Sequence, residues 1–223
     1  MSMPDLEALA ARIAAPLHTS PGGARFLEIV PPILALLARG KPVPLEEIAA
    51  AAGTSPEAVR DALGQVSSVE WDEQGRVVGA GLTLVPTPHR LEVEGKALFA
   101  WCALDTLMYP ALLGRPARIE SPCRGTGEPV RITATPNGIE SLEPPSAVVS
   151  VVEPKDIANI RSVFCENVHF FASPEAASRW LERHPDATIL PVEDAFRLGR
   201  RIAEAILDPS RSRSANAERE RTG

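Results

Sequence analysis

The sequence predicts an α+β fold, with a winged-helix-like N-terminal region followed by a mixed-strand α+β region, and three observations predict it. Two short helical stretches meet at a Gly-containing turn in "LEEIAAAAGTSPEAVRDAL". A strand–turn–strand pattern, "VEWDEQGRVVGAGLTLV", follows directly. Beyond "VPTPH" the pattern changes to short strand-like runs interspersed with helical stretches.

Taken in order, Leu6, Leu9, Ala10 and Ile13 recur at helical spacing, and Pro16 is expected to end that first helix. Phe26, Ile29 and Val30 lead into "PPILALLARGKP", read as a short apolar helix that opens at the Pro pair and stops near Gly40. The next helix runs from about Leu45 to Ala52 and is closed by Gly53. Ser55 is suited to cap its successor, and Pro56 stands at the first helical position, where proline's missing N–H has no partner to lose. Val59, Leu63 and Val66 form the inner face of that helix, and Asp72 to Gly75 make the hairpin turn.

The N-terminal helical and winged-helix-like region is therefore assigned to residues 1–87 and the α+β domain to residues 88–208. In the second region "HRLEVEG" reads as a strand and "KALFAWCALDTLMYPALLG" as one buried helix. The runs "ARIES", "PVRITAT" and "SAVVSVV" read as strands, and "PEAASRWLERH" and "PVEDAFRLGRRIAEAIL" as amphipathic helices. Residues 209–223 have too few apolar side chains to pack and are expected to form a disordered tail.

Composition narrows the function. A chain of 223 residues with 44% hydrophobic content can bury a real core. No apolar run approaches the ~18 residues that span a membrane, and the acidic, helical start "MSMPDLEALAARIAAPLH" does not read as a signal peptide. A cytoplasmic location with no membrane partner is the expectation. The winged-helix pattern raises the question of DNA, but the net charge of −6 argues against it. On the candidate recognition surface Glu46, Glu47, Glu57, Asp61, Glu70, Asp72 and Glu73 face only Arg60 and Arg76. Phosphate contacts supply most non-specific DNA affinity, so an acidic surface predicts no nucleic-acid partner.

Cys102, Cys123 and Cys165 are the only cysteines. An odd count without a CxxC pair predicts neither a disulfide framework nor a structural zinc site. In "AWCALDTLMYP" Cys102 and Asp105 stand three residues apart among apolar side chains, and in "RSVFCENVHFFAS" Cys165 has a similar setting. Several uses are open. Cys102 could be a buried structural thiol beside a solvated Asp105. It could also join His169 and Asp105 in a Cys–His hydrolase. Or the two thiols could bind a thiophilic metal, with partial burial raising the Asp105 carboxyl towards a proton-delivering form.

The runs "LFAWCALDTLMYPALLGRPARIESPC" and "SVFCENVHFFAS", with "LLARGKPV" and "GRVVGAGLTL", resemble the organomercurial lyase (alkylmercury lyase) family over most of residues 25–205. The resemblance implies a winged-helix-like region on an α+β catalytic domain. It further implies protonolysis of a carbon–mercury bond, giving a hydrocarbon and mercuric ion. Cys102 and Cys165 would be the mercury-binding thiols, Asp105 the proton relay beside the mercuric product, and Cys123 a structural cysteine. No cofactor is implied, since mercury is substrate and product. External cellular thiols would support turnover, and mercuric reductase would receive the ion. Glu166 stands where some relatives carry an additional cysteine.

Overall fold

The computed structural model describes residues 5–19, 23–66, 68–154 and 160–207; the expected tail, 209–223, lies outside them. Helices α1 (Leu6–Thr19) and α2 (Gly23–Leu37) open the fold. Both correct the sequence reading, because Pro16 lies inside α1 and Pro31 and Pro32 lie inside α2. An interior proline costs a helix ~3 kcal/mol. However, α2 buries Leu27, Ile29, Val30, Ile33, Leu34, Leu36 and Leu37, each worth ~1.5–3 kcal/mol once covered. Burial outweighs the lost hydrogen bonds.

The next elements follow the expected local chemistry. Helix α3 (Leu45–Ala52) ends at Gly53, whose φ of 65° is the left-handed conformation that closes a helix. The Ser55 hydroxyl accepts the Ala58 N–H at 3.2 Å and caps α4 (Pro56–Gly64), which buries Val59, Ala62 and Leu63. Strands β1 (Glu70–Trp71) and β2 (Val77–Ala80) form the hairpin. At its turn the Gly75 N–H donates to the Asp72 carbonyl at 3.0 Å, while the Asp72 carboxylate takes the N–H groups of Gln74 and Arg76.

Strands β3 (Leu82–Thr83), β4 (His89–Val93) and β5 (Lys96–Ala100) continue the sheet. Here the structure differs again, since Lys96–Ala100 is a strand and not the start of the helix. Glu94 and Gly95 both have positive φ, 48° and 73°. That pair makes the two-residue turn that brings β5 back antiparallel on β4. Helix α5 is thereby confined to Ala103–Leu113.

Strands β6 (Ala117–Pro122), β7 (Pro129–Thr135) and β8 (Gly138–Glu143) complete an antiparallel sheet in the order β1-β2-β3-β5-β4-β6-β7-β8. Strands from both sides of residue 87 share this sheet, joined where β3 pairs with β5. A smaller sheet sets β9 (Val148–Val151) between β10 (Phe170–Phe171) and β11 (Thr188–Pro191). Between β9 and β10 lie the single-turn helix α6 (Ile160–Val163) and a 3-10 turn at Cys165–Asn167. Helices α7 (Pro174–Leu181) and α8 (Val192–Leu207) end the described chain.

Helix α5 lies at the centre, with α8 and α2 packed on it and β4 to β7 against it. Every residue from Ala103 to Pro110 is buried as a result. A helix enclosed on all sides carries apolar residues all round. Asp105 is the one acid in that run and needs a separate explanation. No helix among the described residues is long and apolar enough to cross a membrane.

Candidate active site with two thiols and a carboxylate

Cys102 follows β5 by two residues in extended backbone, φ −145° and ψ 172°, and caps α5. Its sulfur takes the place of the usual cap oxygen and accepts the Asp105 N–H at 3.4 Å. The helix begins at Ala103, so Cys102 stands at its cap and not inside it. The cap itself turns the Asp105 backbone towards the sulfur. Cys165 reaches the same point from the second motif. Its short turn is held by the Val168 N–H on the Cys165 carbonyl at 3.2 Å, and the Ala103 N–H donates to the Val168 carbonyl at 3.2 Å. That last bond joins the two thiol-bearing segments directly.

Ser150, which sequence reasoning missed, anchors the same turn from β9. Its hydroxyl donates to the Asn167 carbonyl and accepts the His169 N–H, both at 2.9 Å. A long-range tie of this kind leaves no local signature in the chain. The result is a cluster in which one ligand atom each from Cys102, Asp105 and Cys165 lie within 4.8 Å of one another, all buried. All three cysteines of the chain are unpaired thiols.

Burial sets the electrostatics. It pushes the Asp105 carboxyl up to about 6, against the pull of its hydrogen bonds with Cys102. One carboxylate oxygen, Oδ2, is buried without a hydrogen-bond partner. Leaving a buried polar atom unpaired costs ~1–3 kcal/mol, so such a group signals a task other than stability. Burial likewise raises Cys102 well above the ordinary thiol range, and its hydrogen bond to Cys165 adds to this. For Cys165 that same bond works the other way, yet burial and the Asp105 charge leave it raised. Both groups are therefore held as thiols, Cys102 more firmly than Cys165. A carboxyl near 6 can both take and return a proton near neutral pH.

A cavity of about 120 Å³ adjoins the cluster. Cys165 and Asp105 reach its wall, and the rest is mostly apolar, including Leu17, Phe26, Met108 and Ile202. The N-terminal helices supply one side of it, which a reading confined to the cysteine motifs does not reveal. Tyr109 also lines it. Gly81 is required beside that ring, since a Cβ there would lie 2.6 Å from the Tyr109 hydroxyl.

The remaining candidates fall outside the cluster. The His169 ring meets Phe171 and Trp180 edge-on, with centroids 6.4 Å and 5.8 Å away. Burial pushes it down to about 4, so it is neutral aromatic packing. Glu166 is exposed. Cys123 sits in the turn between β6 and β7, where its sulfur accepts the Ala172 N–H at 3.2 Å. Burial would raise this thiol, but the Thr126 hydroxyl and the N–H groups of Ala172, Thr126 and Gly125 hold it below the ordinary value. These bonds tie the turn to the segment after β10. Cys123→Ser is therefore expected to lower thermal stability by ~1–2 kcal/mol and to retain measurable turnover. Thermal melting and an activity assay on the same preparation check both parts.

Known proteins resemble the chain over most of its length. Residues 82–204 match the family described as MerB, alkylmercury lyase, and residues 8–81 match the helix-turn-helix domain of alkylmercury lyase. The chain is 61% identical over 171 residues to the alkylmercury lyase of Staphylococcus epidermidis, covering 77% of this chain and 79% of that one. Against the alkylmercury lyase of Pseudomonas putida the identity is 42% over 204 residues, covering 92% and 96%. Among solved structures, the mercury-bound form of MerB2 superposes with a TM-score of 0.74 at 27% identity, over 91% of this chain and 98% of that one. The chain belongs to the alkylmercury lyase family, enzymes of mercury detoxification that cleave the carbon–mercury bond of organomercurials.

Proposed function

We propose that Cys102 and Cys165 are the two mercury ligands of this reaction and that Asp105 carries its proton. The observation that supports this most is the convergence of the three groups, from two motifs far apart in sequence, beside an apolar cavity. An organomercurial R–Hg–X, with X a cellular thiolate, enters with R in the cavity. Cys165 lines that cavity, and its thiol is raised less than that of Cys102, so it attacks mercury first. X leaves with the proton that Cys165 gives up.

Cys102 then adds as the second thiolate, and its proton passes to Asp105, whose backbone N–H already meets its sulfur. Two thiolates push electron density onto carbon. Asp105 returns the proton to that carbon as the carbon–mercury bond breaks, giving R–H. The balance is two thiol protons released, one to X and one to R, with mercuric ion left on two sulfurs. Soft thiolates suit a thiophilic ion, and the apolar wall excludes water from the developing carbanion.

External thiols would then withdraw the ion in the cytoplasm and pass it to a mercuric reductase. No cofactor takes part in this scheme. Incubating purified protein with phenylmercury and excess dithiol should release benzene catalytically, measured by gas chromatography. Absence of benzene from folded protein would overturn the scheme. The helix-turn-helix and hairpin serve as scaffold in this reading and bind no nucleic acid. No gel shift is therefore expected with mixed-sequence DNA at low salt, where electrostatic attraction is strongest. A shift that weakens steeply with added salt would contradict it.

A further inference from the structure

The hairpin holds an acid with a use that the thiol chemistry does not explain. Glu70 stands on β1, and its side chain is only 16% exposed. One carboxylate oxygen accepts the hydroxyl of Thr83, a fully buried residue on β3. The other meets the Arg161 guanidinium at 2.5 Å. The neighbouring strand is shaped around this carboxylate, because a Cβ at Gly79 would overlap it and would lie 2.6 Å from the Thr83 hydroxyl. An incidental surface ion pair needs no such cradle and contributes little.

Arg161 is the point of interest. It lies in α6, four residues before Cys165, and the Phe164 N–H donates to the Ile160 carbonyl at 3.0 Å within the same turn. Its guanidinium also lies 5.2 Å from the centre of the Trp101 ring, and Trp101 immediately precedes Cys102. One cation therefore touches both thiol-bearing segments, and one hairpin carboxylate holds that cation.

We propose that Glu70 is a positioning residue for the lyase reaction, fixing Arg161 and through it the separation of Cys165 from Cys102. The proposal rests on reading Cys165 as a mercury ligand. It gives the hairpin a part in setting the thiol geometry, with its acid turned inward onto Arg161. Neither Glu70 nor Arg161 lines the cavity, so they should affect the chemical step and not the binding of the hydrocarbon group.

The test uses the full chain with phenylmercury and excess dithiol, comparing Glu70→Gln, Arg161→Gln and the double variant. Misplacing a reacting group by about 1 Å can cost ~10²-fold. Each single variant is expected to lose ~10–100-fold in kcat with KM within about twofold of wild type. Since Glu70 acts through Arg161, the double variant should be no slower than the slower single one. Arg161 is partly exposed, so Arg161→Gln supplies the answer if Glu70→Gln does not fold. Unchanged kcat in folded single variants, a loss confined to KM, or multiplying losses in the double variant would each overturn the proposal. Cys165→Ser, assayed alongside, separates the two levels. If it is fully active the two-thiol reading fails, whereas an inactive Cys165→Ser beside a fully active Glu70→Gln removes the Glu70 proposal alone.

Discussion

Asp105→Asn is expected to take up organomercurial through Cys102 and Cys165 yet release hydrocarbon ~10²–10⁴-fold more slowly, the usual worth of a positioned proton donor. The amide keeps the shape of the acid, so packing against its neighbours in α5 is retained, but it can neither accept the Cys102 proton nor return one to carbon. Binding and release must be measured separately on the same preparation. Release at the wild-type rate would show that another group supplies the proton. Loss of binding together with release would make Asp105 a ligand or a structural prop.

The same substitution carries a signature in stability. The folded-state value of Asp105, about 6, stands above its ordinary 3.8. Its contribution is therefore fully present below about pH 4 and is lost as pH rises through about 6. Wild-type protein above pH 6 holds a buried carboxylate with an oxygen that lacks a hydrogen bond. Asp105→Asn removes that charge and should raise the melting temperature at pH 7–8. The gain is at most on the order of 2–3 kcal/mol and shrinks towards zero near pH 4. A variant no more stable than wild type at pH 8 would mean that the carboxylate is better solvated than its burial indicates.

The second large effect belongs to the thiols. Cys102→Ser and Cys165→Ser are each expected to abolish turnover, because one sulfur cannot give the two-thiolate coordination that weakens the carbon–mercury bond. The two should differ in the fold. Cys102 caps α5 through its sulfur, and a serine hydroxyl is a better cap acceptor than sulfur, so Cys102→Ser should melt close to wild type. Cys165 lies in a short turn held mainly by backbone bonds and should also tolerate serine. Circular dichroism on both proteins confirms folding before activity is read. Full activity in either would end the two-thiol mechanism.

Much of this was legible in the chain because the signals are local. Gly53, Ser55 and Pro56 punctuate two helices, and each occupies the conformation or bond its chemistry suits. An acid and a thiol inside "AWCALDTLMYP" raise the question of a site because charge among apolar residues is costly, and the resemblance to the family selects among its answers. Reading failed where tertiary burial overrode a local rule, as with Pro31 and Pro32 inside α2. It also failed where one turn decided two elements, since Glu94 and Gly95 convert an apparent helix start into β5. Ser150, Arg161 and Glu70 were not recognisable at all as parts of the site. Their partners lie 13 to 91 residues away in sequence, and only the folded sheet order brings them together.

A single turnover tests the central claim most directly. Wild-type protein is mixed with an equal amount of phenylmercury and no external thiol, and benzene and protein-bound mercury are both measured. Two thiolates and one proton carrier predict one benzene per chain. They also predict one mercuric ion retained on the chain, located by mass spectrometry of the digested protein on peptides containing Cys102 and Cys165. Retained mercury on Cys123, or benzene released without mercury held by that pair, would contradict it.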